Sequence, residues 1–443
     1  MKPIPFLLCL LLANTLYSKT ITVTTTYDEL HFPVGSNISI REAIRDAAAG
    51  DEIFIPNGVY YLTNPFGPFA IDKDLAIRGE SKELTIIDGR NRYQLFNARF
   101  NALSVQNLTL QNGKIGNLDG RNFCPSECGG AILAGRKLFV KNCLFKNNQA
   151  ANGGSIHMSG DTKNEIINCE FIDNIAAVGG ACRVSSNEVL FKNCLFKHNN
   201  ALTNGGCIQF SFTSKVTVVQ SKFLANISKT GAVIRAGSGE LTIIQCLMSG
   251  NSTSISGGAI YLNGNVNATI IQSTISGNKS DSDENGIGVG DAIRVFRGQL
   301  NIANSIIAMN DDNSNNINID QDGILNDLGG NLIAIDPLFK KNVPFAPSEE
   351  GDLSLQSISP AINKGVNANL PKDDFDFDND FNLSELLPVD LQNNLRIKDA
   401  RVDAGAFEQS LNIIIPTFSE WTLLVYALII LNIGLYFLNK KYA

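Results

Sequence analysis

A glycine recurs along the middle of this chain at nearly constant steps: Gly129, Gly153, Gly179, Gly205, Gly231 and Gly257. The first step is 24 residues and the next four are 26. The surrounding blocks read Gly129-Gly130-Ala131-Ile132, Gly153-Gly154-Ser155-Ile156, Gly179-Gly180-Ala181-Cys182 and onward to Gly257-Gly258-Ala259-Ile260. A second column runs Asn148, Asn174, Asn199, Asn226, Asn251, Asn278 and Asn310, each three residues after an apolar one such as Phe145 or Phe171. A third lies two residues before those apolar positions: Cys143, Cys169, Cys194, Ser221, Cys246, Ser273 and Ser305. Columns held in phase mean one unit stacked many times, so length does not translate into several globular domains.

Between the blocks lie short β-branched runs such as Val216-Thr217-Val218-Val219 and Leu241-Thr242-Ile243-Ile244. They are bounded by Gly, Asn and Ser, which is the signature of strands. Several short strands per period leave no room for a crossover helix. The expected fold is therefore all-β, a right-handed single-stranded parallel β-helix. Rungs would stack at ~4.8 Å, with glycine supplying positive φ at a shared corner and Asn amides bonding up the stack. Residues 21–335 are enough chain for roughly a dozen rungs, or ~60 Å. The 50 Asn and 38 Gly of the 443 residues then belong to repeated corners. A net charge of −7 without a basic stripe argues against nucleic acid as a partner.

The segment Ser39-Ile40-Arg41-Glu42-Ala43-Ile44 opens a capping box and a short helix that stops by Gly50. Such a helix would plug the open end of the coil. These residues resemble the N-terminal cap of bacterial surface β-helix proteins with a Cys-Ser-Leu-Arg-Glu-Ala-Ile motif, with Ile38 in place of the Cys. The Gly-Gly-Ala-Ile and Phe-x-x-Asn blocks are similar to the repeats of chlamydial polymorphic outer-membrane proteins. Past the coil, Asp336-Pro337-Leu338-Phe339, Ser359-Pro360-Ala361-Ile362 and Val402-Asp403-Ala404-Gly405-Ala406-Phe407-Glu408 resemble the choice-of-anchor Q domain.

Both ends look addressed to membranes. Met1-Lys2-Pro3, an apolar run to Leu12 and Ser18 read as a secretory signal peptide over 1–18. At the other end, Trp421 to Leu438 forms a charge-free apolar run followed by Lys440-Lys441. Its length suits a transmembrane helix with the lysines cytoplasmic; a buried C-terminal helix is the alternative. Ile415-Pro416-Thr417-Phe418-Ser419-Glu420-Trp421 ahead of this run resembles the IPTL-type sorting signal of Gram-negative bacteria. That resemblance implies an exosortase-like membrane enzyme as partner and the cell surface as destination. The expected division is 1–18 signal, 19–128 cap and first rungs, 129–335 repeat coil, 336–412 anchor-Q-like region and 413–443 sorting tail.

For chemistry, the residue after each Gly-Gly-Ala-Ile block should point away from the core. That column is Leu133, His157, Arg183, Gln209, Arg235, Tyr261 and Arg294, and from His157 onward it is a candidate exposed strip for sugar hydroxyls and carboxylates. An ordinary solvated sheet face is the competing view. Lyases of this fold use an Arg or Lys base with carboxylate-held Ca²⁺, but no acidic column adjoins the strip. Hydrolysis would need two carboxylates on one face, and no column offers them. The three histidines, His31, His157 and His198, occupy unrelated positions. No catalytic residue is assigned, and no cofactor is required. Asp374, Asp376, Asp378 and Asp380 alternate in a segment that could hold Ca²⁺. It lacks the turn glycine and terminal Glu of an EF-hand loop, which makes a solvated acidic loop the preferred reading. Cys124 and Cys128 are the disulfide candidate; the column cysteines should be free, buried thiols because their Cβ vectors run parallel. Two function classes remain: a non-catalytic surface rod that adheres or binds glycan, and a polysaccharide lyase.

Overall fold

The computed structural model describes residues 18–32, 37–63, 66–118, 128–311, 316–344, 346–409 and 418–441. Each rung begins at the glycine corner, where the chain enters a long sheet of 17 strands that takes two segments from most rungs. In one rung these are Ile132–Ala134 and Leu138–Lys141; in the next they fuse into the single strand Ile156–Ile167. The chain then turns into an 11-stranded sheet, typified by Leu144–Lys146, and on to a 6-stranded sheet, typified by Gln149–Asn152. Neighbouring strands in all three are parallel. The expected right-handed parallel β-solenoid is what the chain forms.

Its core is a set of columns. Phe145, Phe171, Phe196 and Phe223 are fully buried and stack with ring centroids 4.8, 4.6 and 4.8 Å apart. Rung spacing and ring-stacking distance coincide, so one residue type repeats without strain. Beside them the Asn column forms an unbroken internal ladder. Asn174 Nδ2 donates to the Phe145 carbonyl at 3.0 Å and to Asn199 Oδ1 at 2.9 Å, while the Asn174 backbone N–H donates to the same Oδ1 at 3.1 Å. The same pattern continues through Asn199, Asn226, Asn251 and Asn278. Each side chain thus satisfies backbone groups that turning inside a core would otherwise orphan.

Cys143, Cys169, Cys194 and Cys246 are buried and free, as are Cys182 and Cys207. Burial pushes the Cys194 and Cys246 thiols up to about 12, so they are inert packing groups. Cys128 is disulfide-bonded; since the other described cysteines are free, its partner lies outside the described residues, as does Cys124.

At the start of the coil, the helix Ile40–Asp46 closes the core. Ser39 and Glu42 form a complete capping box, and Ile40, Ala43 and Ile44 join the cluster containing Ile21, Val23 and Ile53. Residues 336–409 do not continue the coil. After a two-stranded antiparallel pair, Phe339–Lys341 with Asp352–Leu355, they return along the flank of the rungs. Thr274 Oγ1 accepts from Ala406 N, Gln220 Nε2 donates to the Phe377 carbonyl, and Asn304 bonds Val366 in both directions. This return segment belongs to the same compact unit as the coil. Arg396, wholly buried within it, pairs with Glu408 at 3.0 Å.

A separate unit, Ser410–Ala443, contains the helix Phe418–Lys441. Its described side chains, residues 422–433, are exposed. Among the described residues no helix is long and apolar enough to cross a membrane. What the structure supports at this end is a C-terminal helix.

Candidate functional site

The glycine corner sets the geometry of the outward column beside it. Gly205 has φ 65°, and a Cβ there would meet the Ile208 carbonyl at 2.5 Å and Gln209 Cβ at 2.8 Å. The corner therefore has room for only one side chain, that of the residue four positions on. Repetition places Leu133, His157, Arg183, Gln209, Arg235, Tyr261, Arg294 and Asn318 in one continuous register. The candidate strip is thus a single ladder, running along the junction between the long sheet and the 6-stranded sheet. Arg294 Nη1 donates to Ser256 Oγ, on the 6-stranded sheet, at 2.6 Å.

The strip is less exposed than expected. His157 and Gln209 are only 4% and 1% accessible, whereas Arg183, Arg235, Tyr261 and Arg294 are half-buried. At rung spacing long side chains cover shorter neighbours, and the concave corner shields them from one side. Burial and the nearby Arg183 charge push His157 down to about 3, so its imidazole is neutral at physiological pH. Burial, reinforced by Arg235, lowers Arg183 to about 10. Arg294 is committed: it pairs with Asp320 at 3.0 Å and lies over the Tyr261 ring. Arg183 and Arg235 have no carboxylate partner among the described residues. Two atoms between them are buried without a hydrogen-bond partner, Gln209 Oε1 and Arg235 Nε. An acceptor and a donor left open this way cost free energy unless something fills them.

The next outward positions on the same strands were not anticipated. They are Gly135, Ser159, Ser185, Ser211 and Gly237, small at five successive rungs, on the strand or directly past its end. A shallow floor follows, bounded at the far end by Asn263, which accepts from Tyr261 Oη at 2.8 Å. The signal was available in the sequence as a second column two residues beyond the first.

Residues 86–256 match the family model of the right handed beta helix region. Among solved structures the chain is similar to pectate lyase Pel9A, at 13% identity and TM-score 0.49, covering 89% of this chain and 98% of that one. It is also similar to a rhamnogalacturonan lyase, at 12% identity and TM-score 0.38, over 73% and 91% of the two chains. A third is the catalytic unit of an α-1,3-glucanase from Streptomyces thermodiastaticus, at 14% identity and TM-score 0.33, over 66% and 64%. No curated protein matches the chain at a significant level.

The other candidates fall elsewhere. His31 bonds Glu42 at 3.2 Å beside the N-terminal helix, and His198 faces Asp173 at 3.5 Å. The histidines do not converge. Although Glu29, His31 and Glu42 lie close together, Glu42 already accepts from the Ser39 and His31 backbone N–H groups, which makes it part of the cap. The acidic segment does fold into a cluster, but with different members. Asp373, Asp376 and Asp378 bring carboxylate oxygens within 4.8 Å of one another, and Asp378, Asp380 and Glu385 do the same. Asp374 is in neither group, and, contrary to the expectation of no terminal Glu, Glu385 supplies one. Left-handed turns at Asp376, Asn379 and Phe381 rotate the chain so that Asp373 takes the place expected of Asp374. Burial, with the charges of Asp378 and Asp376, pushes Asp373 above the usual carboxylate range against a bond from Phe377 N–H. A polar groove of about 660 Å³ adjoins this loop, lined by Lys82, Glu170, Lys192, Lys222 and Asn379. It does not include the Arg183–Arg235 strip.

Of the sorting motif, Ile415, Pro416 and Thr417 lie outside the described residues; Phe418, Ser419, Glu420 and Trp421 fall in the C-terminal helix. The signal-peptide residues 1–17 also lie outside them.

Proposed function

We propose that this protein is an exported rod that binds an extended, carboxylate-bearing glycan along the Arg183–Arg294 ladder without cleaving it. The observation that carries this reading is the run Arg183, Gln209 and Arg235, with unpaired guanidinium groups and unfilled polar atoms above a floor of small residues. Planar guanidinium groups suit carboxylates, and a Tyr face suits a sugar ring. Repetition at rung spacing suits a ligand that itself repeats. Binding without turnover follows from what surrounds the strip. Its one described carboxylate contact, Asp320, is tied to Arg294, and both acidic clusters with Asp members lie on the return segment. Among the described residues, hydrolysis by paired carboxylates therefore has no acid–base pair at the ladder.

One observation favours the lyase alternative: Arg183, lowered to about 10, is a better proton acceptor than an ordinary guanidinium. The two readings separate in one experiment. The protein is screened on a glycan array and then incubated with pectin and alginate, with Ca²⁺ added. We expect retention of uronate-rich chains, loss of retention in Arg183→Ala/Arg235→Ala, and no unsaturated product. Unsaturated sugar that disappears in the variant would establish the lyase instead.

Display at the cell surface is part of the same proposal. It is supported by the resemblance of Ile415 to Trp421 to an IPTL-type signal, by the anchor-Q-like return segment, and by exposed Leu423, Leu424 and Val425 on the terminal helix. An exosortase-like enzyme would process the chain at this end. Surface labelling of intact cells should fall when residues 415–421 are replaced; unchanged labelling would remove this part of the proposal.

A further inference from the structure

We infer that the loop from Asp373 to Glu385 binds one Ca²⁺ ion, and that the ion fastens the return segment to the coil. The cluster alone would not carry this. The deciding feature is Asp373, whose side chain is completely buried. Its Oδ1 accepts from Phe377 N at 2.7 Å, while Oδ2 has no hydrogen-bond partner, and the carboxylate belongs to a triad with Asp376 and Asp378. A buried carboxylate with an unpartnered oxygen, set beside two other carboxylates, is costly unless a cation stands among them. Glu385 Oε1 is likewise buried without a partner, in the triad that shares Asp378.

Protein cations do not fill the role. None of the five carboxylates forms an ion pair among the described residues, and the nearby Lys192 spends its ammonium on the carbonyls of Phe375 and Asp376, each at 2.7 Å. The donors are all oxygens, with no imidazole or thiolate among them, which selects a hard cation. Asp373, Asp376 and Asp378 supply the inner side, and Asp380 and Glu385 the outer. Five carboxylates on an irregular loop suit the six to eight oxygens of Ca²⁺ better than the strict octahedron of Mg²⁺.

The consequence is mechanical. Phe377, 1% accessible, packs in a cluster with Leu190, Val219 and Ile244 from successive rungs and with Leu370 and Leu387 from the return segment. Lys192 and Gln220 hold the carbonyls on either side of it. An ion that fixes the loop therefore also fixes Phe377 on the coil.

The test is calorimetric titration of the chelator-treated full chain with CaCl₂, with MgCl₂ in parallel, followed by thermal unfolding and limited proteolysis. Saturable Ca²⁺ binding is expected in the ~10⁻⁴–10⁻³ M range or tighter. It should raise the melting temperature and protect the bond after Lys372. Asp373→Asn keeps the shape and the Phe377 hydrogen bond; it should weaken binding about 10-fold or more. Asp378→Asn, at a half-buried position common to both triads, should do the same if the first variant is poorly folded. Absence of binding up to ~10 mM, equal binding of Mg²⁺, or unchanged Ca²⁺ affinity in Asp378→Asn would each overturn the inference.

Discussion

The imidazole of His157 occupies the ladder position that Arg183 takes one rung later, and what separates their roles is water. His157 is sealed off and cannot take a proton cheaply. Its folded-state value, about 3, lies below the unfolded value near 6.5. The unfolded chain therefore binds more protons between those limits, and stability is lost as pH falls through that window. At pH 5 the expected cost is ~2 kcal/mol relative to pH 7 or above. His157→Gln removes the titrating group while keeping a planar polar side chain. Urea unfolding at pH 7 and pH 5 should show the wild type losing more stability than the variant. Equal losses would mean that His157 is more accessible than its burial indicates. The residue scale is also where sequence reasoning met its limit. Alternation along a strand places the strip on the side opposite the core-facing Ile column. Outward was then equated with exposed, and at His157 and Gln209 it is not. Accessibility depends on the neighbouring sheet, which one rung's sequence does not contain.

At the scale of elements, the ladders were the most legible part of the molecule because stacking turns a local spacing into a contact. Asn148 to Asn310 and Phe145 to Phe223 stand in register as their spacing implied. A further column escaped notice: Asn142, Asn168, Asn193, Gln220, Gln245, Gln272 and Asn304, each directly before the Cys/Ser column, all have positive φ. Asn tolerates that region, and Asn142 and Asn193 also bond the Asn one rung earlier at 2.9 Å. This second corner shows why Asn is so abundant: two columns need it for different reasons. The inner column should be the more sensitive. Asn199→Ala deprives the Phe171 carbonyl of a donor and the Asn174 N–H of an acceptor, both buried. We expect a loss of ~2–4 kcal/mol for Asn199→Ala and a smaller one, ~1–2 kcal/mol, for Asn193→Ala, whose amide is exposed but whose positive φ disfavours alanine. Denaturant midpoints at constant m-value would measure both. The return segment was much less legible, since Ala406 N–H reaches Thr274 Oγ1 across 132 residues and no local pattern announces such a contact. Nor could alternating Asp residues show which carboxylates converge, because the left-handed turns at Asp376 and Asn379 decide it.

For the whole molecule, the repeat makes length adjustable in units of one rung. Each rung touches chiefly the rungs above and below it, so stability is close to a sum of rung and interface contributions. Removing residues 154–179 deletes one full period, joining Gly153 to Gly180 and restoring the Gly-Gly corner. It lies before Lys192, the first rung residue bonded to the Asp373–Glu385 loop, so the docking at Lys192, Gln220 and Asn304 keeps its spacing. The ion pair of Lys82 with Glu170 is lost, a partly exposed contact worth ~1 kcal/mol or less. Removing residues 154–166 instead deletes half a period and sets the Asn, Phe and Cys columns out of phase with the rungs before them. Fewer residues are removed, yet the damage should be greater. We expect the 26-residue deletion to retain a strand-rich circular dichroism spectrum and a single cooperative melt, and the 13-residue deletion to lose the melt. Under the binding proposal, the full-period deletion removes His157 and leaves Arg183, Gln209, Arg235 and Tyr261 in register. Glycan retention should therefore survive the deletion, in contrast to Arg183→Ala/Arg235→Ala, which removes both guanidinium groups from a ladder of unchanged length.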